Sequence, residues 1–222
     1  MTGIMQVMLG GSFGFPNGWP VANIGDAYGG GFFAGQINVS GTKYNLVVAS
    51  KASGESSKKW GAYGVTTGIT NVIAGPTNTT SLVALGSAYE AAIFCNNLNA
   101  GGGLNGYTDW YMPAINELEV LYYFLKPTTT ANYTVAGANA NAVSPEPISQ
   151  NYTSGSPAQT TATGVNGFRT GETNAFAASY YWSSTEYDAY AGFFQVFSDG
   201  TQNGLTKNVF SFYVRAVRRV LA

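Results

Sequence analysis

Residues 105–127 read NGYTDWYMPAINELEVLYYFLKP, and they carry the clearest helix signal in the chain. Pro113 suits the first turn of a helix, and Glu117 and Glu119 follow near the positive end of the helix dipole. The Lys-Pro pair at 126–127 ends the segment. One apolar stripe recurs at helical spacing, formed by Ile115, Leu118, Leu121, Tyr122 and Leu125. We therefore predict a helix over residues 114–125 that packs this stripe on a core.

A second helical segment precedes it at residues 81–98, SLVALGSAYEAAIFCNNL. Its apolar positions follow the same period at Leu82, Leu85, Tyr89, Ala92 and Leu98. The glycine-rich NAGGGLNG at 99–106 ends the pattern. We predict one helix here, with Cys95 as a small buried hydrophobe rather than a reactive thiol.

The segments on either side of the helices have strand character. Residues 29–50, GGGFFAGQINVSGTKYNLVVAS, predict a hairpin that turns at 40–43, with residues 44–50 as a core strand. Residues 51–80 predict a long polar connection, ordered by Trp60. Residues 127–179 are irregular and almost uncharged, and we expect an ordered excursion on the surface of the same domain.

Short strands are predicted from residue 180 to the end of the chain. They are YYWSS (180–184), GFFQVFS (192–198), LTKNVFS (205–211) and YVRAVRRV (213–220), with a turn at the Asp-Gly pair 199–200. Because side chains alternate along a strand, we expect one of Phe193 and Phe194 to be buried and the other displayed. Trp110 and Trp182 are expected in the core.

A buried carboxylate among these aromatic strands needs a partner. We predict that Glu186 pairs with Arg215 on a neighbouring strand, since arginine can grip a carboxylate through two hydrogen bonds.

Composition narrows the possible functions. Only 9% of the 222 residues are charged, against roughly a quarter in ordinary soluble proteins, and the net charge is −1. No basic surface for nucleic acid is expected, and an uncharged surface favours burial in an assembly. No apolar stretch reaches the roughly twenty residues of a membrane span, so no membrane insertion is expected.

The chemistry available to the chain is equally restricted. It has no histidine and one cysteine, which removes Ser-His and Cys-His nucleophile pairs and an internal disulfide. The eleven acidic residues are scattered, so no metal site or cofactor is expected. Residues 1–21 predict an extended attachment tail, because glycine and proline interrupt them, and residues 22–222 predict one domain.

Three elements occur together in order and resemble a known family. They are DW-x-x-P-x-x-x-E-L (109–118), WSSTE (182–186) and VRAVRR (214–219). This combination resembles the collagen-like-protein C-terminal (Lcl-type) domain family over roughly residues 22–220. The family occurs in bacterial surface proteins and in phage tail-fibre proteins.

The resemblance implies an α+β, C-type-lectin-like fold: two helices on a small twisted antiparallel sheet, with long irregular insertions. It also implies a binding protein rather than an enzyme. Related folds include formylglycine-generating enzyme, whose chemistry relies on a cysteine pair that this chain lacks. True calcium-dependent lectins use an E-P-N-like loop, which PEPIS at 145–149 resembles only superficially.

Many such proteins are targets of diversity-generating retroelements, which randomise a binding face near the C-terminus. The resemblance therefore implies that WSST and VRAVRR are scaffold, and that the stretch between them is displayed. We expect one contiguous patch to contact a host receptor: Tyr187, Asp188, Tyr190, Phe193, Phe194, Asn203, Leu205, Thr206, Val209 and Phe210. An aromatic strand pair can equally be plain core, so both interpretations stay open here.

The expected protein is thus a virion-surface or tail-fibre-tip adhesin, with a host-cell receptor and other virion fibre proteins as partners and a homotrimeric assembly. The alternatives are a structural virion decoration without receptor contact and an adhesin or lectin of the bacterial cell surface.

Overall fold

The computed structural model describes residues 22–143, 150–158, 165 and 167–222. Its helices are α1 (Lys51–Gly54), α2 (Gly75–Ala84), α3 (Glu90–Asn97) and α4 (Ile115–Leu125). Its strands are β1 (Ala27–Tyr28), β2 (Gly31–Val39), β3 (Thr42–Val48), β4 (Glu55–Lys58), β5 (Tyr180–Glu186), β6 (Ala191–Val196), β7 (Gln202–Thr206), β8 (Phe212–Arg215) and β9 (Val217–Leu221). The protein is therefore of the predicted α+β class. The predicted tail at 1–21 and the PEPIS segment lie outside the described residues.

The described strands form two sheets rather than the one small antiparallel sheet that was expected. One sheet has the order β1-β2-β3-β9 and the other β4-β8-β5-β6-β7. The pairing of β5 with β8 is parallel, whereas the other strand pairs of the described chain are antiparallel.

The C-terminal segment passes directly from one sheet to the other. The predicted strand at 213–220 breaks at Ala216, so that β8 belongs to one sheet and β9 to the other. Ala216 bonds across the break: its N–H donates to the carbonyl of Gly54, and its carbonyl accepts from Ala49. The alternation of side chains along 213–220 could not reveal this break, because the pattern continues through it.

The hairpin of β2 and β3 confirms the prediction for residues 29–50. Ser40 and Gly41 both have positive φ, 51° and 88°, as the tight turn of a two-residue hairpin requires. The predicted core strand is fully buried at Leu46, Val47 and Val48.

Helix α4 forms where residues 105–127 predicted it, and its whole stripe is buried. Glu117 caps its start by accepting a hydrogen bond from the N–H of Ala114 at 2.8 Å. The helix joins β2, β3 and β5 in one hydrophobic cluster. Trp60, Trp110 and Trp182 lie in a second cluster with residues of α2 and α3, which confirms their core positions.

The predicted helix at 81–98 is wrong in its continuity. It is replaced by α2 and α3, and the chain between them turns at Gly86, whose φ is +109°. Helix α2 begins earlier than expected, at Gly75, with Pro76 in its first turn. Leu85, counted in the apolar stripe, is consequently 50% exposed at the end of α2.

The two irregular stretches contribute more order than their composition indicated. Residues 51–80 contain α1, β4 and the start of α2 as well as the buried Trp60. The described parts of 127–179 place Tyr152, Phe168 and Phe176 in the cluster around α4. In the described residues, no helix is both long enough and apolar enough to span a bilayer.

Candidate functional site

A buried ion pair lies at one end of the β4-β8-β5-β6-β7 sheet. It joins the last residue of β5 to the first residue after β7. Lys207 Nζ donates to Glu186 Oε1 at 2.6 Å, and both side chains are buried. Lys207 also donates to the carbonyls of Val65 and Ala189, while Glu186 accepts from the N–H groups of Thr67 and Gly68. One ion pair therefore fixes three segments of chain: 65–68, 186–189 and 207.

The predicted pairing of Glu186 with Arg215 is wrong. Arg215 faces the other side of its sheet, where it lies 3.8 Å from Glu55 and over the ring of Phe176. The sequence contains several buried acids and bases, and strand alternation alone could not decide which ones meet.

The environment of Glu186 keeps it ionised. Burial would raise its pKa, but the hydrogen bonds from Lys207, Thr67 and Gly68 together lower the pKa below its ordinary value. The ion pair is thus a charged and fully bonded support beneath the surface.

We call the surface above this pair the loop end, and it consists of loops 61–69, 187–190 and 207–209. Tyr63 is 56% exposed, Tyr187 48% and Tyr190 55%, and the rings of Tyr63 and Tyr190 lie 5.1 Å apart. Val65 and Val209 are also exposed. Exposed apolar and aromatic groups are concentrated here on loops that the buried pair holds.

Asp188 lies on the loop end but has a structural task. Its Oδ1 accepts hydrogen bonds from the N–H groups of Tyr190 and Ala191, both at 2.7 Å. This arrangement is an Asx-type turn, which fixes the loop that carries Tyr187 and Tyr190.

Phe193 and Phe194 point to opposite faces of β6, as alternation predicted. Phe193 is half-buried against the ring of Tyr187 at 4.8 Å. Phe194 is only 5% exposed and packs with Trp182 and Phe212. Phe194, expected among the receptor-contacting residues, therefore belongs to the core.

The Phe194 face carries a second group of rings. Phe212 stacks on Tyr180 at 4.7 Å, and Phe210 stacks on Phe212 at 5.5 Å. We call these three rings the aromatic side; Phe210 is 42% exposed and Tyr180 40%. The row is continuous, and two of its three rings are largely open to solvent.

The remaining predicted residues lie on β7 and divide between its two faces. Asn203 is paired with Phe194 and shares its face with Leu205, whereas Thr206 is paired with Ala191 and shares the Phe193 face. Asn203 is exposed, and Leu205 and Thr206 are half-buried. The residues predicted for the patch therefore lie on both faces of β7 as well as on the loop end and the aromatic side.

Three exposed residues were missed by the sequence reasoning: Tyr63, Val65 and Tyr180. A signal existed for Tyr63, because glycines flank it in GAYG (61–64) and indicate a loop. No local signal indicated that residues 61–69 would join a loop more than a hundred positions later in the chain.

Other chemistry is not assembled at this surface. Among the described residues, no group of three or more Cys, Asp or Glu side chains could hold a metal ion. Cys95 is fully buried, and burial raises the pKa of its thiol.

The family model described as the Lcl C-terminal domain matches residues 66–218, which is well over half of the chain and includes the first two motif elements and all but the last residue of the third. No curated protein matches the chain. The chain belongs to the Lcl C-terminal domain family.

Proposed function

We propose that this chain is an adhesin-type domain that binds a host-cell receptor through the loop end and the adjoining aromatic side. The observation that carries the proposal is the loop end itself: exposed tyrosines on loops that a buried Glu186–Lys207 pair ties together. Tyrosine offers a large contact area with few rotatable bonds to immobilise, so rings on fixed loops make efficient anchors.

The surroundings of these rings support the same function. An exposed apolar surface of this kind usually marks an interaction site. In a protein with a diversified binding face, the scaffold residues beneath that face stay constant. Trp182, Glu186 and Lys207 are suited to this scaffold role, because all three are buried beneath the surface. Loop residues can therefore change without disturbing the core, which suits a C-type-lectin-like display scaffold diversified by a retroelement.

The proposed setting is a virion tail-fibre tip or surface appendage, with other fibre proteins as neighbours. A bacterial cell-surface adhesin would use the same face. A near-identical template repeat and a reverse transcriptase gene beside the coding sequence would support diversification, and their absence would contradict it.

The test measures binding of the fluorescently labelled chain to a panel of bacterial strains by cytometry. The loop-end variant replaces Tyr63 and Tyr190 with serine, and a second variant replaces Phe210 with serine. The matched control replaces Tyr133 and Val135 with serine. These two side chains together are about as exposed as Tyr63 and Tyr190. Tyr133 lies at the opposite end of the β6–β7 hairpin, where its N–H bonds the carbonyl of Asp199.

We expect saturable labelling of at least one strain, lowered at least about tenfold in the loop-end variant and unchanged in the control. Chelator and moderate salt should have little effect, because the surface is nearly uncharged. Full labelling by a folded loop-end variant would contradict the proposed face. Failure of the unaltered chain to label any strain would favour a structural virion protein, and loss of labelling in chelator would favour a calcium lectin.

A further inference from the structure

A second feature suited to ligand binding lies beside α4, away from the loop end and the aromatic side. It is a cavity of about 90 Å³ between α4 and the described residues that follow it. Its apolar wall consists of Val120, Tyr123, Phe124, Ala142 and Val143. Its polar part includes Glu119, Asn139, Asn151, Tyr152 and Thr153.

Glu119 is the charged group of this cavity, and it is held by neutral donors. The amide of Asn139 donates to its Oε2 at 2.5 Å, and the hydroxyl of Tyr152 donates to its Oε1 at 2.9 Å. The orientation of Asn139 is fixed, because its oxygen accepts from the N–H groups of Asn141 and Ala142. Each carboxylate oxygen can accept two hydrogen bonds and so has room for one more.

Among the residues that the structure describes, each of the other well-buried glutamate side chains has a basic partner. Glu55 lies beside Arg215, Glu117 beside Arg219 and Glu186 beside Lys207, at 3.8, 3.0 and 2.6 Å. All ten lysines and arginines of the chain fall within the described residues, and none of them is within ion-pair distance of Glu119. Glu119 is therefore a buried carboxylate for which the chain supplies no side-chain cation.

A buried carboxylate without a cation is costly, and the cost is recovered when a ligand supplies the opposite charge. The cavity is too small for a large ligand but can hold a charged head with a few carbon atoms. Its wall of valine and aromatic side chains would be in contact with the apolar part of that ligand.

We propose that this cavity binds a primary alkylammonium group, with the ammonium on Glu119 and the alkyl chain against Val120, Phe124 and Val143. The ammonium N–H groups would make charge-assisted hydrogen bonds to the carboxylate oxygens, which are stronger than neutral ones. Asn151 also lines the cavity, and its side chain carries an oxygen that can accept a hydrogen bond.

The pKa of Glu119 agrees with its geometry, a buried carboxyl held by neutral donors. Burial raises the pKa of this carboxyl to about 7, and the hydrogen bonds from Asn139 and Tyr152 only partly offset that rise. Burial also raises the pKa of Glu55 and of Glu117, but the arginine beside each of them offsets part of the rise, and Glu119 has no such partner.

The same ammonium chemistry occurs in free small amines and in lysine side chains of partner proteins. The probes are therefore n-butylamine, n-butanol as the neutral match of similar size, and Nα-acetyl-lysine methylamide. Binding to the full chain is followed by NMR titration at about pH 8, where Glu119 is ionised. Contacts are identified by intermolecular NOEs between ligand alkyl protons and the Val120 and Phe124 side chains.

We expect saturable butylamine binding with these NOEs, at least about tenfold weaker for Glu119→Gln and unchanged for Glu90→Gln, which removes a charge from an exposed site. Stronger binding of the lysine derivative would identify a partner's lysine as the source, and exclusive binding of butylamine would identify free amines. Equal binding of butanol, or no NOE to the cavity side chains of the unaltered chain, would overturn the proposal even if Glu119→Gln failed to fold.

Discussion

At the scale of single residues, the buried carboxylates separate into two kinds. Glu186 and Glu117 have cationic partners, whereas Glu119 has only the neutral donors Asn139 and Tyr152. A basic partner favours the charged form of a buried carboxyl, and burial alone favours the protonated form. The pKa of Glu186 is lowered and that of Glu119 is raised, so these two carboxyls should respond in opposite directions to pH; burial raises the pKa of Glu117 in spite of Arg219.

The network around Glu119 can accept a proton. Gln195 donates to the hydroxyl of Tyr152, and the oxygen of Gln195 is buried without a hydrogen-bond partner. A protonated Glu119 can donate to Tyr152, whose hydroxyl can then donate to Gln195 if that amide turns over. Both protonation states of Glu119 thus retain a bonded arrangement.

We predict that Glu119 makes the fold less stable as pH rises. Its pKa is about 7 when folded and near the ordinary 4.5 when unfolded, so its protonated form stabilises the fold below about pH 4.5. That contribution disappears between these values as the pH increases, a loss of about 3 kcal/mol in the free energy of unfolding. Burial also raises the pKa of Tyr152, so this tyrosine does not titrate in that range.

The measurement is urea unfolding across this pH range for the unaltered chain and for Glu119→Gln, whose amide resembles the protonated carboxyl. The difference in unfolding free energy between the two proteins should change by about 3 kcal/mol across the range. Glu90→Gln should run parallel to the unaltered chain. A pH-independent difference would show that Glu119 does not titrate there.

We predict that Lys207→Met destabilises the fold by about 3–5 kcal/mol, because it leaves Glu186 charged and unpaired in a buried site. Chemical denaturation measures the loss. Lys43→Met, at an exposed position next to the hairpin turn, serves as the control and should cost less than about 0.5 kcal/mol. Similar losses in both variants would mean that the Glu186–Lys207 pair does not support the fold.

At the scale of elements, close backbone packing decides how α4 sits on β2. The strand has an irregularity between Phe33 and Gly35, and Gly35 adopts a φ of +119°. A Cβ at this position would lie 2.7 Å from the ring of Phe124 and 2.8 Å from Val120. The absent side chain allows the helix to approach the strand and brings the cavity wall into place.

We predict that Gly35→Ala destabilises the protein by at least about 2 kcal/mol, since it adds backbone strain to overpacking. The matched control is Gly155→Ala, where a Cβ would meet nothing within 4 Å and the backbone needs no positive φ. The control should stay within about 0.5 kcal/mol of the unaltered chain. Thermal and urea unfolding check both values, and equal stability of the two variants would contradict the packing argument.

At the scale of the whole molecule, two sheets are held together by short connections and two hydrophobic clusters. β8 and β9 join the sheets at Ala216, and α4 packs against strands of both sheets. The surface that results has few charges, because only 9% of the residues are charged. Such a surface is well suited to burial against neighbouring copies.

We predict a homotrimer that presents three copies of the loop end. Multi-angle light scattering should give three times the 23.3 kDa chain mass at micromolar concentration. A threefold arrangement would increase avidity for a cell surface without any new contact. A stable monomer under the same conditions would contradict the assembly and leave the proposed face to be tested separately.

Part of this architecture could be predicted from local sequence. The stripe from Ile115 to Leu125 required a helix with one buried face, and Ser40–Gly41 between two β-rich runs required a tight hairpin turn. The three motif elements indicated the family that the comparison then matched. These features depend on residues close together in the chain, so their physical causes are visible in short stretches.

Only the tertiary structure decided which distant groups meet. Glu186 pairs with Lys207 rather than with Arg215, and Tyr63 reaches Tyr190 across more than a hundred residues. Phe194 is core and Phe193 half-exposed because of the side on which Trp182 and Phe212 pack. Glu119 lacks a basic partner because every lysine and arginine lies elsewhere in space, even though Lys126 is seven residues away in the chain. Partner choice depends on how strands and loops are arranged in three dimensions, and the sequence pattern of any one segment does not contain that information.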